Sequence, residues 1–384
     1  MPSLSRSVLD GDLAVQATAT SPSRRRGRTR PVAESDLPGL AALYVRVFGA
    51  PAGGSHAAAA SYLGRLLFES PWPDSELPSL MYEDADGRPA GLLGVVARPM
   101  VFRGRPIRVA ICHHFMVAPE TRTTLASVAL TKAALAGPQD LTVAEACAPW
   151  RQLWEHIGGT TSLLHGLTWT RALRPAGLAV GALDRRGLPR VCSAALHPVS
   201  RIIDRTAARM VPMLSAPGSS PLTAASLDAD GLCAAMHQLC VGSLQPVWNR
   251  HTLQWALDQL RAKVHRGTLF AVGVATGRGD LVGFYLYYAK PGGISHLVCS
   301  GARPEYRAQV LEHMVRHAWD QGAAAVAGQL DRAVAPCVAE WPVLLSQPDA
   351  NWRLVHSGRD DLLNAVHSGE APLSRFESEW WLTF

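Results

Sequence analysis

The chain has 384 residues, too long for one compact core and long enough for two domains of ordinary size. Hydrophobic residues make up 48% and eleven residues are Trp, so core material is ample, while no apolar run approaches the roughly 20 residues of a membrane span. The net charge of +6 comes from one segment, "SPSRRRGRTR", where Arg24, Arg25, Arg26, Arg28 and Arg30 cluster; the rest is near neutral, without the basic folded surface that nucleic-acid binding demands. Residues 1–28 therefore read as a disordered basic tail. The N-terminus lacks the charged-then-apolar order of a signal peptide, which predicts a cytoplasmic protein with no membrane partner. Seven scattered cysteines form no Cys-x-x-Cys pair, which argues for reduced core thiols and no structural zinc. His-Glu-x-x-His and Gly-x-Ser-x-Gly are absent, so metalloprotease and hydrolase chemistry have no support.

In chain order, "TRPVA" (29–33) reads as a strand, "SDLPGLAALYVRVF" as a helix behind Ser35 and Asp36, and "YLGRLLFES" as a second helix. The stretch from Ser79 to Val117 alternates apolar strands with turns at Asp86-Gly87 and Arg103-Gly104, an antiparallel meander. A Pro-Glu-Thr-Arg turn at Pro119 to Arg122 opens a small-residue helix. "DLTVAEAC" then reads as a strand, "APWRQLWEHIGG" as a helix and "TTSLLHGLTWTRAL" as a last strand. Three landmarks recur in order at nearly constant separation: Gly39-Leu40-x-Ala42 with Gly231-Leu232-x-Ala234, Gly94 with Gly283, and Pro119-Glu120-x-Arg122 with Pro304-Glu305-x-Arg307. The chain thus reads as a duplicated unit, residues 29–174 and 221–384, joined by a bridging segment at 175–220 that carries a short amphipathic helix in "HPVSRIIDRTAARMVPML".

The element order and the stretches "HFMVAPETR", "LAGPQDLTVAEA", "WEHIGGTTSLLHGLTWTRALRP" and "LSRFESEWWLTF" resemble the GNAT superfamily of acyltransferases, in a two-copy bacterial form similar to natural-product and lipopeptide N-acyltransferases. The resemblance implies an α/β (α+β) fold: two tandem GNAT-like domains, each a mixed, mostly antiparallel sheet flanked by helices. It also implies that the strand before the Pro-Glu turn splays from its neighbour. A pantetheine thioester would then lie along Phe115, Met116 and Val117, its phosphate resting on the opening of the next helix at Arg122, Thr123, Thr124 and Ser127. The family turn, Arg or Gln, two residues, Gly, one residue, Gly or Ala, is altered in both copies. Leu125 and Ser127 replace its glycines in the first, and Val310 and Glu312 stand at the corresponding places in the second. Hydroxyls beside Arg122 suit a phosphate better than Glu312 does, so the first copy is expected to bind the donor and the second to be degenerate. No cofactor is expected to be permanently bound; the donor substrate is coenzyme A thioester or, since glycines are missing, a phosphopantetheine thioester on an acyl carrier protein.

Aminolysis of a thioester needs a base for the amine and an acid or stabiliser for the thiolate. His113 and His114 flank the expected gap, and alternation sends them to opposite faces; either is a candidate base or a core histidine. Glu145 is a carboxylate in an apolar strand, able to orient His114, bind an acceptor ammonium or cap the next helix. His165 stands where the resemblance places a tyrosine general acid. Trp380, Trp381 and Phe384 read as an aromatic seal, with the Phe384 carboxylate within reach of a pocket, as in some tandem relatives. The expected function is N-acyl transfer to an amine such as a peptide or secondary metabolite, and a homodimer is left open. The alternatives are an inactive scaffold and a transfer-RNA-dependent aminoacyl transferase.

Overall fold

The computed structural model describes residues 27–49, 55–121, 125–185, 187, 196, 198–200, 202–206, 221–240, 242–348 and 352–383. The basic tail up to residue 26, Arg122, Thr123 and Thr124, most of the bridge and Phe384 lie outside the described residues. Arg28, read as part of the tail, instead begins a strand. Its guanidinium and that of Arg30 bond Glu83 at 2.7 and 2.8 Å, and Arg30 also reaches Asp36.

The first half runs β1 (Arg28–Pro31), α1 (Leu37–Phe48), α2 (His56–Phe68), β2 (Leu80–Glu83), β3 (Pro89–Phe102), β4 (Arg105–Val117), α3 (Ala126–Leu135), β5 (Leu141–Ala146), α4 (Ala148–His156), β6 (Thr160–Thr161), α5 (Leu163–Gly166), β7 (Thr168–Ala172) and α6 (Pro175–Arg185). β3 and β4 form one long hairpin whose turn requires left-handed backbone at Arg103 and Gly104. In the bridge, the Asp204 carboxylate accepts the N–H groups of Ala176 and Gly177, capping α6. The second half runs β8 (Thr223–Ser226), α7 (Ala229–Leu239), β9 (Leu244–Pro246), α8 (Arg250–Arg261), β10 (Thr268–Ala275), β11 (Leu281–Ala289), β12 (Ile294–Ala302), α9 (Arg307–Asp320), β13 (Ala325–Gln329), α10 (Ala335–Ala339), β14 (Val343–Ser346), β15 (Trp352–His356) and α11 (Asp360–Ser368). Two short 3-10 turns, Arg375–Glu377 and Glu379–Trp381, close the chain. Among the described residues no helix is long and apolar enough to cross a membrane.

The strands form two mixed sheets flanked by helices, the expected α/β class. The first has the order β1-β2-β3-β4-β5-β15-β6 with β9 on the free side of β3, the second β14-β7-β13-β12-β11-β10-β8. Each sheet is antiparallel except at one pair, β4 with β5 in the first and β12 with β13 in the second.

The halves exchange strands. β15, from the second half, pairs with β5 and β6 in the first sheet, while β7, from the first half, lies between β13 and β14 in the second. The stretch 160–173 is therefore not one closing strand. Thr160–Thr161 stays with β15, the helical turn α5 redirects the chain, and Trp169 on β7 is buried in the other half's core against Trp341. The largest apolar cluster likewise mixes halves, joining Leu40, Leu63 and Met100 to Leu232, Leu257 and Trp381. Truncating the exchanged anchor should test this coupling. Trp169→Ala is expected to lower stability by about 3–5 kcal/mol in urea titration and to keep a single unfolding transition for both halves, since it opens a cavity in a core its own half does not build.

Candidate active site

The parallel pair β4 and β5 is bonded only at Val109 with Leu141, Ala110 with Thr142 and Ile111 with Val143. Beyond that point β4 continues to Val117 and β5 to Ala146, and the strands part. Backbone N–H groups freed inside a protein need other acceptors. The C-terminal segment supplies one. Ser378 caps the turn Glu379–Trp381 by accepting the Trp380 N–H, and this turn packs in the notch against both strands. The Glu379 carboxylate accepts the His114 N–H at 2.9 Å and also the N–H of Glu145. Burial, and then the neighbouring Glu145 charge, push its carboxyl up to about 8, against the pull of those two N–H groups and of Arg353.

His114 adopts a φ of +51°, uncommon for a side chain of this size, beside a register shift between Leu92 and Gly94 on β3. The bulge breaks the alternation expected for the histidine pair, and both rings turn to one place. His113 Nδ1 lies 2.7 Å from His114 Nδ1, and His114 Nε2 lies 2.8 Å from the Tyr62 hydroxyl, which donates to the Leu382 carbonyl at 2.6 Å. With Tyr62 donating onward, the network assigns the proton of His114 to Nε2 and that of His113 to Nδ1. Gly94 makes room for this. A Cβ there would stand 2.3 Å from the His113 ring.

Burial holds the His113 imidazole down to about 3, and burial with the charges of His113 and Lys263 holds His114 well below the usual histidine range. Burial disfavours the charged form of both rings, which favours the core-histidine reading of the pair over the base role. His165 lies apart on α5, its Nδ1 2.9 Å from Ser162 Oγ and its Nε2 buried without a partner. Burial takes it to about 3 as well, so the imidazolium expected to protonate a thiolate does not form there. Glu145 neither caps α4 nor touches His114 through its side chain; it pairs with Arg353 of β15 at 2.8 Å. The same guanidinium donates to Gln329 of β13 at 3.0 Å. Lys263, buried behind the segment, donates to the Thr383 carbonyl and is brought down to about 7 by burial and by Arg266.

Three groups in this cluster escaped sequence reasoning: Glu379, Lys263 and Tyr62. A signal existed for the first. A carboxylate among aromatics in "FESEWW" is as expensive to bury as the one that singled out Glu145.

Of the expected thioester-binding residues, Met116 and Val117 are buried and Phe115 stacks on Trp150 of α4, ring centroids 4.1 Å apart, filling the space beside the parted strands. Ser127 lies in the first turn of α3, and its carbonyl accepts from Thr131. Leu125 stands exposed at the helix start without a side-chain cap.

The second sheet repeats the parting with the opposite charge. β12 and β13 are bonded from Ile294 with Ala325 to His296 with Ala327, and where they separate Arg375 donates to the carbonyls of Leu297, at 3.0 Å, and Ala327. Beside this notch lies a cavity of about 380 Å³, lined by β12 from Cys299 to Ala302, the first turn of α9 and the C-terminal segment. At the place of Phe115, fourth before the turn proline, the second half has Ser300, and Val334 follows β13 where Trp150 follows β5. Glu312, expected to repel a phosphate, is engaged with Arg171 at 3.0 Å. Among the described residues no cluster of His, Cys, Asp and Glu could hold a metal ion.

No family model matches the chain, and no curated protein matches its sequence. Solved structures do match in fold. The GCN5-related N-acetyltransferase from Kribbella flavida superposes with a TM-score of 0.53 at 15% identity over 87% of this chain and 72% of that one. A probable N-acyltransferase from Enterococcus faecalis V583 gives 0.56 at 10% identity over 86% and 72%. The GCN5-related N-acetyltransferase from Anabaena variabilis ATCC 29413 gives 0.55 at 11% over 91% and 75%. The chain therefore has the fold of these GNAT-family structures.

The raised Glu379 carboxyl fixes a sign for stability against pH. Its protonated form is favoured in the fold, so its contribution is complete below about 4.5 and is lost as pH rises through about 8. The unfolding free energy of the native chain relative to Glu379→Gln should fall as pH rises across that window, by on the order of 5 kcal/mol, and urea titrations of both proteins in matched buffers check it.

Proposed function

We propose that this chain is an N-acyltransferase that moves an acyl group from a pantetheine thioester to an amine, with the chemistry at the parted ends of β4 and β5. The observation that carries the reading is the half-buried Glu379 carboxylate, held by the N–H groups of His114 and Glu145. The two N–H groups converge on one place for an oxygen, where burial keeps a carboxyl protonated up to about 8. A thioester carbonyl that takes this place would develop its tetrahedral oxyanion against the same two donors, the arrangement that stabilises acyl-transfer transition states. The displaced carboxylate, beside the reacting carbon, is placed to take the proton of the attacking amine. The nitrogen then bonds to the carbonyl carbon, the C–S bond breaks and the thiolate leaves.

The neutral His113–His114–Tyr62 chain serves in this reading as positioning machinery that holds the strained strand and the C-terminal segment in register. Likeness in fold to solved N-acetyltransferases and to a probable N-acyltransferase supports the same reaction class. The donor is a thioester of coenzyme A or of an acyl carrier protein, lying toward α3, and the acceptor is an amine such as a peptide or a secondary metabolite in the cytoplasm. The duplicated units at 29–174 and 221–384 then differ in task, the first holding the reacting centre.

Acyl-CoA and acyl carrier protein thioesters of several chain lengths, offered with a panel of amines, test the reading. Glu379→Gln should lower kcat by about 10²–10⁴ while the far-ultraviolet spectrum is retained, and the rising limb of the pH–rate profile near 8 should disappear. Full activity in that variant sinks the mechanism. Failure of every thioester to bind points to a scaffold instead.

A further inference from the structure

We infer that the amine acceptor at the first notch carries a carboxylate, as an amino acid or a peptide with a free C-terminus does, and that Arg266 holds it. The inference rests on the acyl-transfer reading and names the class of its acceptor. Arg266 ends the short turn Val264–Arg266 between α8 and β10. Gly267 pins that turn on the end of β11: its φ is +113°, and a Cβ there would collide with the Ala289 carbonyl. From this position the Arg266 guanidinium lies over the ring of Trp380, 4.1 Å from its centroid, and Trp380 directly follows Glu379. Burial lowers the proton affinity of Arg266, while Tyr288, Glu145 and Tyr62 act against that, so its charge stands within reach of two groups of the first notch.

Among the described residues nothing answers this charge. Arg353 pairs with Glu145, and Arg375 spends its guanidinium on the carbonyls of the second notch. Arg266 makes no hydrogen bond or ion pair with a described residue, and its Nε is enclosed without a partner. The residue is half-buried, so a ligand can still reach it. Its neighbours deepen the imbalance. His265 meets Arg266, Lys263 and Lys290 as repelling charges, Lys263 meets Arg266, and the Lys290 ammonium donates to the His265 carbonyl. Cations gathered without a counter-ion repel one another, and a guanidinium fork set over an aromatic ring suits a carboxylate held by two parallel bonds.

The anchor serves the acceptor and not the donor. Trp380 packs in the apolar cluster that holds α1 and α2, whereas α3, toward which the thioester lies in the acyl-transfer reading, packs in a different cluster. An amine entering on the Trp380 side meets Arg266 first, and a second positive group on it would be repelled there.

Isothermal titration of the full chain with glycine, leucine, phenylalanine and glycyl-leucine, each beside its C-terminal amide, tests the site without a thioester. At least one free acid should bind about tenfold or more tighter than its amide. Arg266→Gln should bring the two toward equal affinity with cooperative thermal unfolding kept, and Arg266→Lys, which keeps the charge and loses the fork, should restore part of the preference. With a thioester that turns over, the preference should appear in KM rather than kcat. Equal binding of acids and amides, absence of binding by every free acid, or a preference unmoved in Arg266→Gln overturns the inference. If Arg266→Gln does not fold, the ratio of acid to amide affinity in Arg266→Lys decides. Calorimetry requires no acyl transfer, so an acid preference lost in Arg266→Gln stands even where Glu379→Gln keeps full activity. Amides acylated as readily as acids sink the inference and leave the acyl-transfer reading in place.

Discussion

A parallel strand pair that parts inside a protein leaves backbone donors on one side and acceptors on the other without partners, and this chain has two such partings. Both are satisfied by one short segment. Arg375 donates into the notch of β12 and β13, where carbonyls are free, and Glu379 accepts in the notch of β4 and β5, where N–H groups are free. A neutral side chain could meet one such group, but a charged fork or carboxylate meets two at once. Burial opposes both charges, raising Glu379 to about 8 and lowering Arg375 to about 10, and Arg353 beside the first and Glu145 beside the second return only part of that cost. The ends of both central strand pairs therefore depend on residues from the last turns of the chain.

The strand exchange places those charges. β15 carries Arg353 into the first sheet beside β5, and from there its guanidinium reaches Glu145 on β5 and Gln329 on β13. These two residues are equivalent, each two beyond the last paired residue of its strand, Val143 and Ala327. One side chain thus joins the matching points of both sheets across the pseudo-symmetry. Without the exchange, each sheet would end at β5 or β13 and expose an edge where the other half now supplies a strand.

Much of this was legible in the sequence. The meander, the Pro-Glu turns and the order of elements follow from period and turn chemistry, because those are local signals. What escaped reading is non-local. "NWRLVHS" reads as a strand of the second half, and nothing in its pattern says that its partners are β5 and β6. Alternation failed at His114 because the bulge next to the Gly94–His113 pair reverses one residue. The histidines had the right intrinsic proton affinity for a base, but burial removes it, and burial depends on the whole packing. The same effect moves Glu379 the other way, up to about 8, and brings Lys263 down to about 7.

The two sheets, each with one parted parallel pair, are filled in opposite ways. In the first, aromatics close the chamber beside α3, and what remains accessible to chemistry is the polar notch with its half-buried carboxylate. In the second, small side chains open the chamber beside α9, while its notch is stopped by a guanidinium whose burial draws it down only to about 10, leaving it protonated at any physiological pH. A permanently charged donor cannot exchange a proton, whereas Glu379 can. Under the proposed acyl transfer, acid–base work falls to the first notch by the choice of plug, while the second keeps an apolar chamber through the loss of two rings.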